Sequence, residues 1–259
     1  MCLILFAYQH HPNYPLIVAA NRDEYYARPS APAQYWSDHP HILAGRDLKE
    51  LGTWMGITVH GRFAALTNYR DPQHHSDQAL SRGHLVADFL HKHQPPHEYL
   101  EKIENQAKQY NGFNLLVGDL QSLWYYSNQQ EQVQQVTPGV HGLCNHLLNT
   151  PWPKLVKGRQ QLAQCLTGDT VSETDLWDIL TNREKAPDDT LPNTGVSVEW
   201  ERTLSSIFIE SPEYGTRSST ILLVGHDGSV KFVERTYHSS LSSWQEVSYQ
   251  FELYHRRYF

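Results

Sequence analysis

Cys2 is the residue of this sequence best placed to act as a nucleophile. If Met1 is removed, as a small second residue generally permits, Cys2 carries a thiol and a free α-amine together. A thiolate attacks carbonyl carbon, and an α-amine with an ordinary pKa of roughly 7.7 to 8.0 can take the thiol proton and return it to a leaving group. No second residue then has to supply the base. The same position also suits a chain that simply begins Met-Cys, with Cys2 a small buried apolar residue.

Charges and amides that would serve such a nucleophile recur along the chain. Asn21-Arg22-Asp23-Glu24 follows an apolar strand. It reads either as a solvated turn whose charges pair at little energetic value, or as a functional cluster. In the second case Arg22 lowers the thiol pKa and Asp23 fixes the protonated amine. Asn68 ends one expected strand and Asn145 another. Each is a common strand-to-turn residue and also an amide N–H donor that can face a developing oxyanion. Arg217 sits at a sheet edge or mouth, either as a surface charge or as an anion-binding fork.

The elements that must position these groups are mostly strands. Leu3 to Tyr8 and Leu16 to Ala20 form a hairpin across the turn Pro12-Asn13-Tyr14-Pro15, which brings the end of the second strand beside Cys2. A second hairpin joins Gly52–Val59 to Arg62–Asn68 through His60-Gly61. Strands follow at 111–119, 122–127, 132–136 and 140–145, then at 221–225, 230–235 and around 247–253. Helical periodicity covers Arg82 to His93, stops at Pro95-Pro96, and resumes from His97 to about Tyr110. Further helices open at Pro153 and at Ser172. The stretch 183–195 is the one long loop and the best candidate for a mobile flap.

The chain has 259 residues and a formal net charge of -7, with basic residues scattered rather than striped, so no nucleic-acid footprint is visible. Three cysteines lie far apart with no CxxC, which fits neither a disulfide framework nor a thiolate metal site and points to a reducing, cytoplasmic setting. His84, His91, His93 and His97 read as surface histidines, since Pro95-Pro96 spoils any shared helical face. No metal or cofactor is expected. No apolar run approaches the ~20 residues of a membrane helix, and the opening run lacks a signal peptide's basic flank. One domain over residues 1–259 is expected.

Met1-Cys2, Asn21-Arg22-Asp23-Glu24, Gly52-Thr53-Trp54-Met55-Gly56-Ile57, Ala65-Leu66-Thr67-Asn68-Tyr69, Tyr110-Asn111-Gly112-Phe113-Asn114-Leu115, Thr150-Pro151-Trp152-Pro153-Lys154 and Gly215-Thr216-Arg217 together resemble the NRDE family, also called the transport and Golgi organisation protein 2 family. That family is in turn similar to the N-terminal nucleophile hydrolases, especially bile salt hydrolases and penicillin V acylases. The resemblance implies an α+β fold, an αββα four-layer sandwich of mainly antiparallel sheets. It implies Cys2 as nucleophile and base, Arg22 and Asp23 as supporting charges, Asn68 and Asn145 at the oxyanion, and Arg217 stabilising the site. Asn21, Glu24, Tyr69 and Trp54 would contact substrate.

Two departures narrow this. Those acylases separate Arg and Asp by two residues, whereas Arg22 and Asp23 are adjacent. Class II glutamine amidotransferases also begin Met-Cys but usually continue with Gly and carry a His-Thr-Arg-Trp block, and here Leu3 follows and the block is absent. Glutamine is therefore rejected as substrate. The expected activity is hydrolysis of a non-peptide amide or thioester through an acyl-cysteine. The rival is a carrier that uses the same pocket for an acyl-CoA, lipid or haem-like ligand without chemistry.

Overall fold

The computed structural model describes residues 2–119, 121–237 and 243–254. Met1, and with it the expected removal of Met1, lies outside the described residues. A six-stranded sheet runs β10 (Gly139–Leu143), β1 (Cys2–Tyr8), β2 (Leu16–Tyr25), β11 (Tyr214–Val224), β12 (Ser229–Tyr237) and β13 (Trp244–Glu252). A seven-stranded sheet runs β3 (Ser30–Tyr35), β4 (Ile42–Asp47), β5 (Met55–Thr58), β6 (Phe63–Asn68), β7 (Phe113–Gly118), β8 (Leu123–Ser127) and β9 (Gln132–Gln135). Every neighbouring pair in both sheets is antiparallel.

Three apolar layers hold the stack together. Ile4, Phe6, Val18, Leu222 and Phe232 of the first sheet meet Leu43, Ile57, Ala65 and Leu116 of the second. On the outer face of the first sheet, Leu3, Leu5, Ile17 and Ile221 pack on α3 (Pro153–Cys165) and α4 (Glu173–Leu180). On the outer face of the second, Ile42, Leu66 and Val117 pack on α1 (Gly83–His91) and α2 (Pro96–Glu104). The expected αββα sandwich is therefore the fold. It explains why the opening run is apolar at every position: both faces of β1 are buried, so period-2 alternation has no polar side to show.

Several local expectations change. β2 does not stop at Ala20 but continues to Tyr25, so Asn21-Arg22-Asp23-Glu24 is strand, not turn. The reason is β11, which pairs with β2 from Leu16 to Tyr25 and takes up the backbone groups that a turn would leave to water. β3 and β4 were not expected, nor was helix α5 (Val198–Leu204) beyond the long loop. That loop is not a flap over the site. Thr194 N and Oγ1 donate to Glu201 Oε1 at 2.8 and 2.6 Å, which ties its far end to α5, and no residue of 183–195 lines the cleft at Cys2. No helix among the described residues is long and apolar enough to cross a membrane.

Candidate active site

Alternation along β2 decides which of its four polar residues reach the gap between the sheets. Val18 and Ala20 belong to the inter-sheet core, so Arg22 and Glu24 continue that face, whereas Ile17 and Ala19 face the helices and Asn21 and Asp23 follow them. Cys2 shares its face with Ile4 and Phe6 and lies opposite Arg22 in the β1–β2 register. The core stops there, and a cleft of about 410 Å3 opens at that end of the sandwich. It is bordered by Cys2, Arg22, Glu24, Trp54, Asn68 and Arg217, and Asp23 also reaches it.

Cys2 is 7% exposed. Burial pushes its pKa up and Asp23 adds to that, while Arg22 opposes both without reversing them. The expectation that Arg22 lowers the thiol pKa is therefore right in sign and wrong in outcome, because desolvation outweighs a single guanidinium here. Cys2 is a thiol at neutral pH and needs a base to react. Asp23 is buried at 1% exposure and accepts from Thr216 Oγ1 at 2.7 Å. Burial raises its carboxyl, and the buried ammonium of Lys154 is the strongest influence in the other direction.

Glu24 stands 3.8 Å from Arg22 Nη2 and 4.0 Å from Arg28 Nε. Burial alone would raise its carboxyl, but the positive charge around it, Arg22 and Arg28 included, holds it below the usual carboxylate range. Asp47 receives Arg28 Nε at 2.5 Å and lies 3.9 Å from Arg22 Nη2. These residues make a charged lattice along one wall.

Four expected site residues take other positions. Asn21 is fully buried and does not touch the cleft: its Nδ2 donates to the Leu180 and Ile207 carbonyls at 2.9 Å each, and its Oδ1 accepts from Ser219 Oγ at 2.6 Å. The β2 alternation turns it toward the helices, where it pins the end of α4. Tyr69 also lies off the cleft, its ring 4.9 Å from His146. Asn145 lies two residues beyond β10 and behind the lining; its Nδ2 donates to the Asn68 carbonyl at 3.0 Å. It braces Asn68 from the rear instead of facing the cleft. Arg217 is the extra residue where the β2–β11 register shifts between Thr216 and Ser218. Its Nη1 donates to the carbonyls of Tyr25, Tyr26 and Arg28 at 3.0, 3.0 and 3.1 Å, so it struts the turn after β2 and borders the cleft.

The sequence did not single out Arg28, Asp47, Arg82 or Glu234, all of which line the cleft. Glu234 was detectable: it shares parity with Val230 and Phe232, so it is a carboxyl on a core face, and it accepts from Ala33 N at 2.7 Å. Arg28 precedes β3 and Asp47 ends β4, two strands that the sequence did not announce. Arg82 directly precedes α1 and is set by the contact of Gly83 with Gly52, where a methyl group on Gly52 would sit 2.5 Å from the Gly83 carbonyl carbon. Gly52→Ala is therefore expected to destabilise the fold by roughly 1–3 kcal/mol, read as a lower denaturant midpoint. An unchanged midpoint would contradict that close approach.

His84, His91, His93 and His97 are exposed, and among the described residues no group of three or more His, Cys, Asp and Glu is arranged to hold a metal ion.

The profile of the family described as Transport and Golgi organisation 2 matches residues 1–239. The Homo sapiens Transport and Golgi organization protein 2 homolog is 41% identical over 98% of this chain and 99% of its own length. Drosophila melanogaster Transport and Golgi organization protein 2 is 30% identical over 91% of this chain and 92% of its own. Among solved structures, the C2A mutant of conjugated bile acid hydrolase from Clostridium perfringens aligns with a TM-score of 0.53 at 8% identity, covering 97% of each chain. The shared fold is that of the N-terminal nucleophile hydrolases, and identity this low speaks to the fold alone.

Proposed function

The chain belongs to the Transport and Golgi organisation 2 family, and from that premise we propose that it hydrolyses a small polar amide or thioester through an acyl-cysteine at Cys2. The observation that carries this reading is the place of Cys2: the first residue of β1, opposite Arg22, in a cleft that Asn68 also borders.

The steps follow from the groups present. With Met1 removed, the α-amine of Cys2 takes the Sγ proton, and the thiolate adds to the substrate carbonyl carbon. Asn68 supplies an amide donor to the oxyanion. The carbon–nitrogen or carbon–sulfur bond then breaks, the α-ammonium gives its proton to the leaving group, and the acyl group remains on Sγ as a thioester. The free amine next removes a proton from water, hydroxide adds to the thioester, and Sγ leaves and is reprotonated. Asp23, on β2 and buried, is suited to hold the ammonium between these transfers. Asn145 acts as a positioning residue through the Asn68 carbonyl.

An acid-quenched reaction with a panel of small amides and thioesters tests this. The expected result is an acyl mass increment on the Cys2 peptide, and turnover without such an increment would overturn the mechanism. Asn145→Ala is expected to lower kcat by roughly 10²-fold through loss of alignment at Asn68, with KM little changed. An equal rise in KM would instead assign Asn145 to ground-state binding.

The carrier reading, with an apolar acyl or haem-like ligand, is less well supported. The cleft wall is rich in charged side chains, with Trp54 as its main aromatic surface, whereas pockets for such ligands are mostly apolar.

A further inference from the structure

We propose that Arg82, together with the unpartnered edge of Arg22, binds a carboxylate on the substrate, which makes the substrates of this cleft singly charged anions. The inference rests on the hydrolase reading of the same site and adds the class of molecule that enters it.

The cations of the cleft differ in how far they are already used. Arg28 is paired with Asp47, Arg46 makes two bonds of 2.9 Å to the Asp38 carboxylate, and Arg217 is spent on three backbone carbonyls. Lys49 also lines the cleft without an ion pair among the described residues but is exposed to solvent, whereas Arg82 is half-buried and has no such partner. Its Nη1 donates to the Gly112 carbonyl at 3.0 Å, and among the described residues it takes part in no ion pair. A guanidinium has five N–H donors in a planar fork, so most of its capacity stays open to the cleft. Burial penalises its charged form, and the nearby Glu24 carboxylate offsets part of that penalty. A half-buried charge with only partial compensation is costly to keep. A ligand that neutralises it removes the cost.

Arg22 shows the same deficit. Its Nη1 is buried with no hydrogen-bond partner among the described residues, and its Nη2 reaches Glu24 and Asp47 only at 3.8 and 3.9 Å. A guanidinium fork matches a carboxylate in two parallel bonds. Glu24 and Asp47 line the same cleft and work against a dianion such as phosphate, which leaves the monoanion as the better match.

The test uses full-length protein and pairs of N-acyl amino acids and their C-terminal primary amides, which differ only in the negative charge. The wild type is expected to prefer the acid roughly 10- to 100-fold in kcat/KM, the scale of a charge-assisted pair. Arg82→Gln should abolish that preference by slowing the acid alone, and Arg82→Lys should retain part of it. Equal rates on both members of a pair, or a preference that survives Arg82→Gln, would overturn the proposal. Binding of acetylglycine to Cys2→Ala, followed by NMR, separates this from the catalytic reading. Arg82-dependent binding, with a wild type that hydrolyses neither member of any pair, would support the anion site and sink the hydrolase, whereas wild-type hydrolysis blind to charge would do the reverse. Tighter binding of inorganic phosphate than of acetylglycine would also overturn the carboxylate assignment.

Discussion

Cys2→Ala is expected to remove turnover of any amide or thioester substrate, by roughly 10⁴-fold or more, while leaving the fold intact. The size follows from covalent catalysis, in which loss of the nucleophile costs about as much as loss of the whole catalytic unit. The substitution shortens a side chain at the edge of the inter-sheet core, next to the cleft, so little packing is lost. Cys2→Ser keeps a nucleophile of similar shape but far higher pKa and is expected to retain only a trace of activity. Steady-state rates on purified protein with matched thermal melts decide the matter. Full turnover by Cys2→Ala would refute a catalytic role for the thiol.

The largest effect on stability is expected behind the site. Arg70 Nη1 meets Glu201 Oε2 at 2.7 Å, with the side chains only 7% and 4% exposed. Glu201 also accepts both bonds from Thr194, and Arg70 packs over the Trp152 ring at 4.9 Å. This pair fastens α5 and the end of the long loop to the chain just beyond Asn68. Removing Arg70 strands the Glu201 carboxylate in the interior, a loss of roughly 3–5 kcal/mol. For a chain of this size that corresponds to a Tm lower by roughly 6–20 °C. Arg70→Ala should show it. The double variant Arg70→Met with Glu201→Leu should recover part of it, since the Glu201 carboxylate is then also gone. A drop below ~1 kcal/mol for Arg70→Ala, the scale of an exposed pair, would contradict the buried geometry.

Much of the fold was legible because its cause is local. The apolar run after Cys2 could be read as a buried strand, Pro95-Pro96 both ended one helix and opened the next, and Asn68 does close β6. What was not legible depends on distant pairing. Asn21-Arg22-Asp23-Glu24 looks like a turn until β11, some two hundred residues away, is laid alongside it. Only then does alternation send Arg22 and Glu24 toward the cleft and Asn21 toward α4. Arg217 looks like a site residue by position, but the bulge at which it sits commits its guanidinium to three carbonyls. Arg82 carries no signal of its own, because an arginine before a helix is commonplace and only the packing of Gly52 on Gly83 brings it to the cleft. Asn145 donates to the Asn68 carbonyl and does not border the cleft, a placement the sequence does not reveal because a strand-end amide can face inward or outward.

The central claim is that Cys2 reacts as an amino-terminal nucleophile, and the intact mass of the purified protein before and after brief alkylation at neutral pH tests it most directly. The account predicts a mass lacking Met1 and a single fast adduct on Cys2, with Cys144 and Cys165 unlabelled over the same interval. Retention of Met1 with a Cys2 that labels no faster than Cys165 would contradict it.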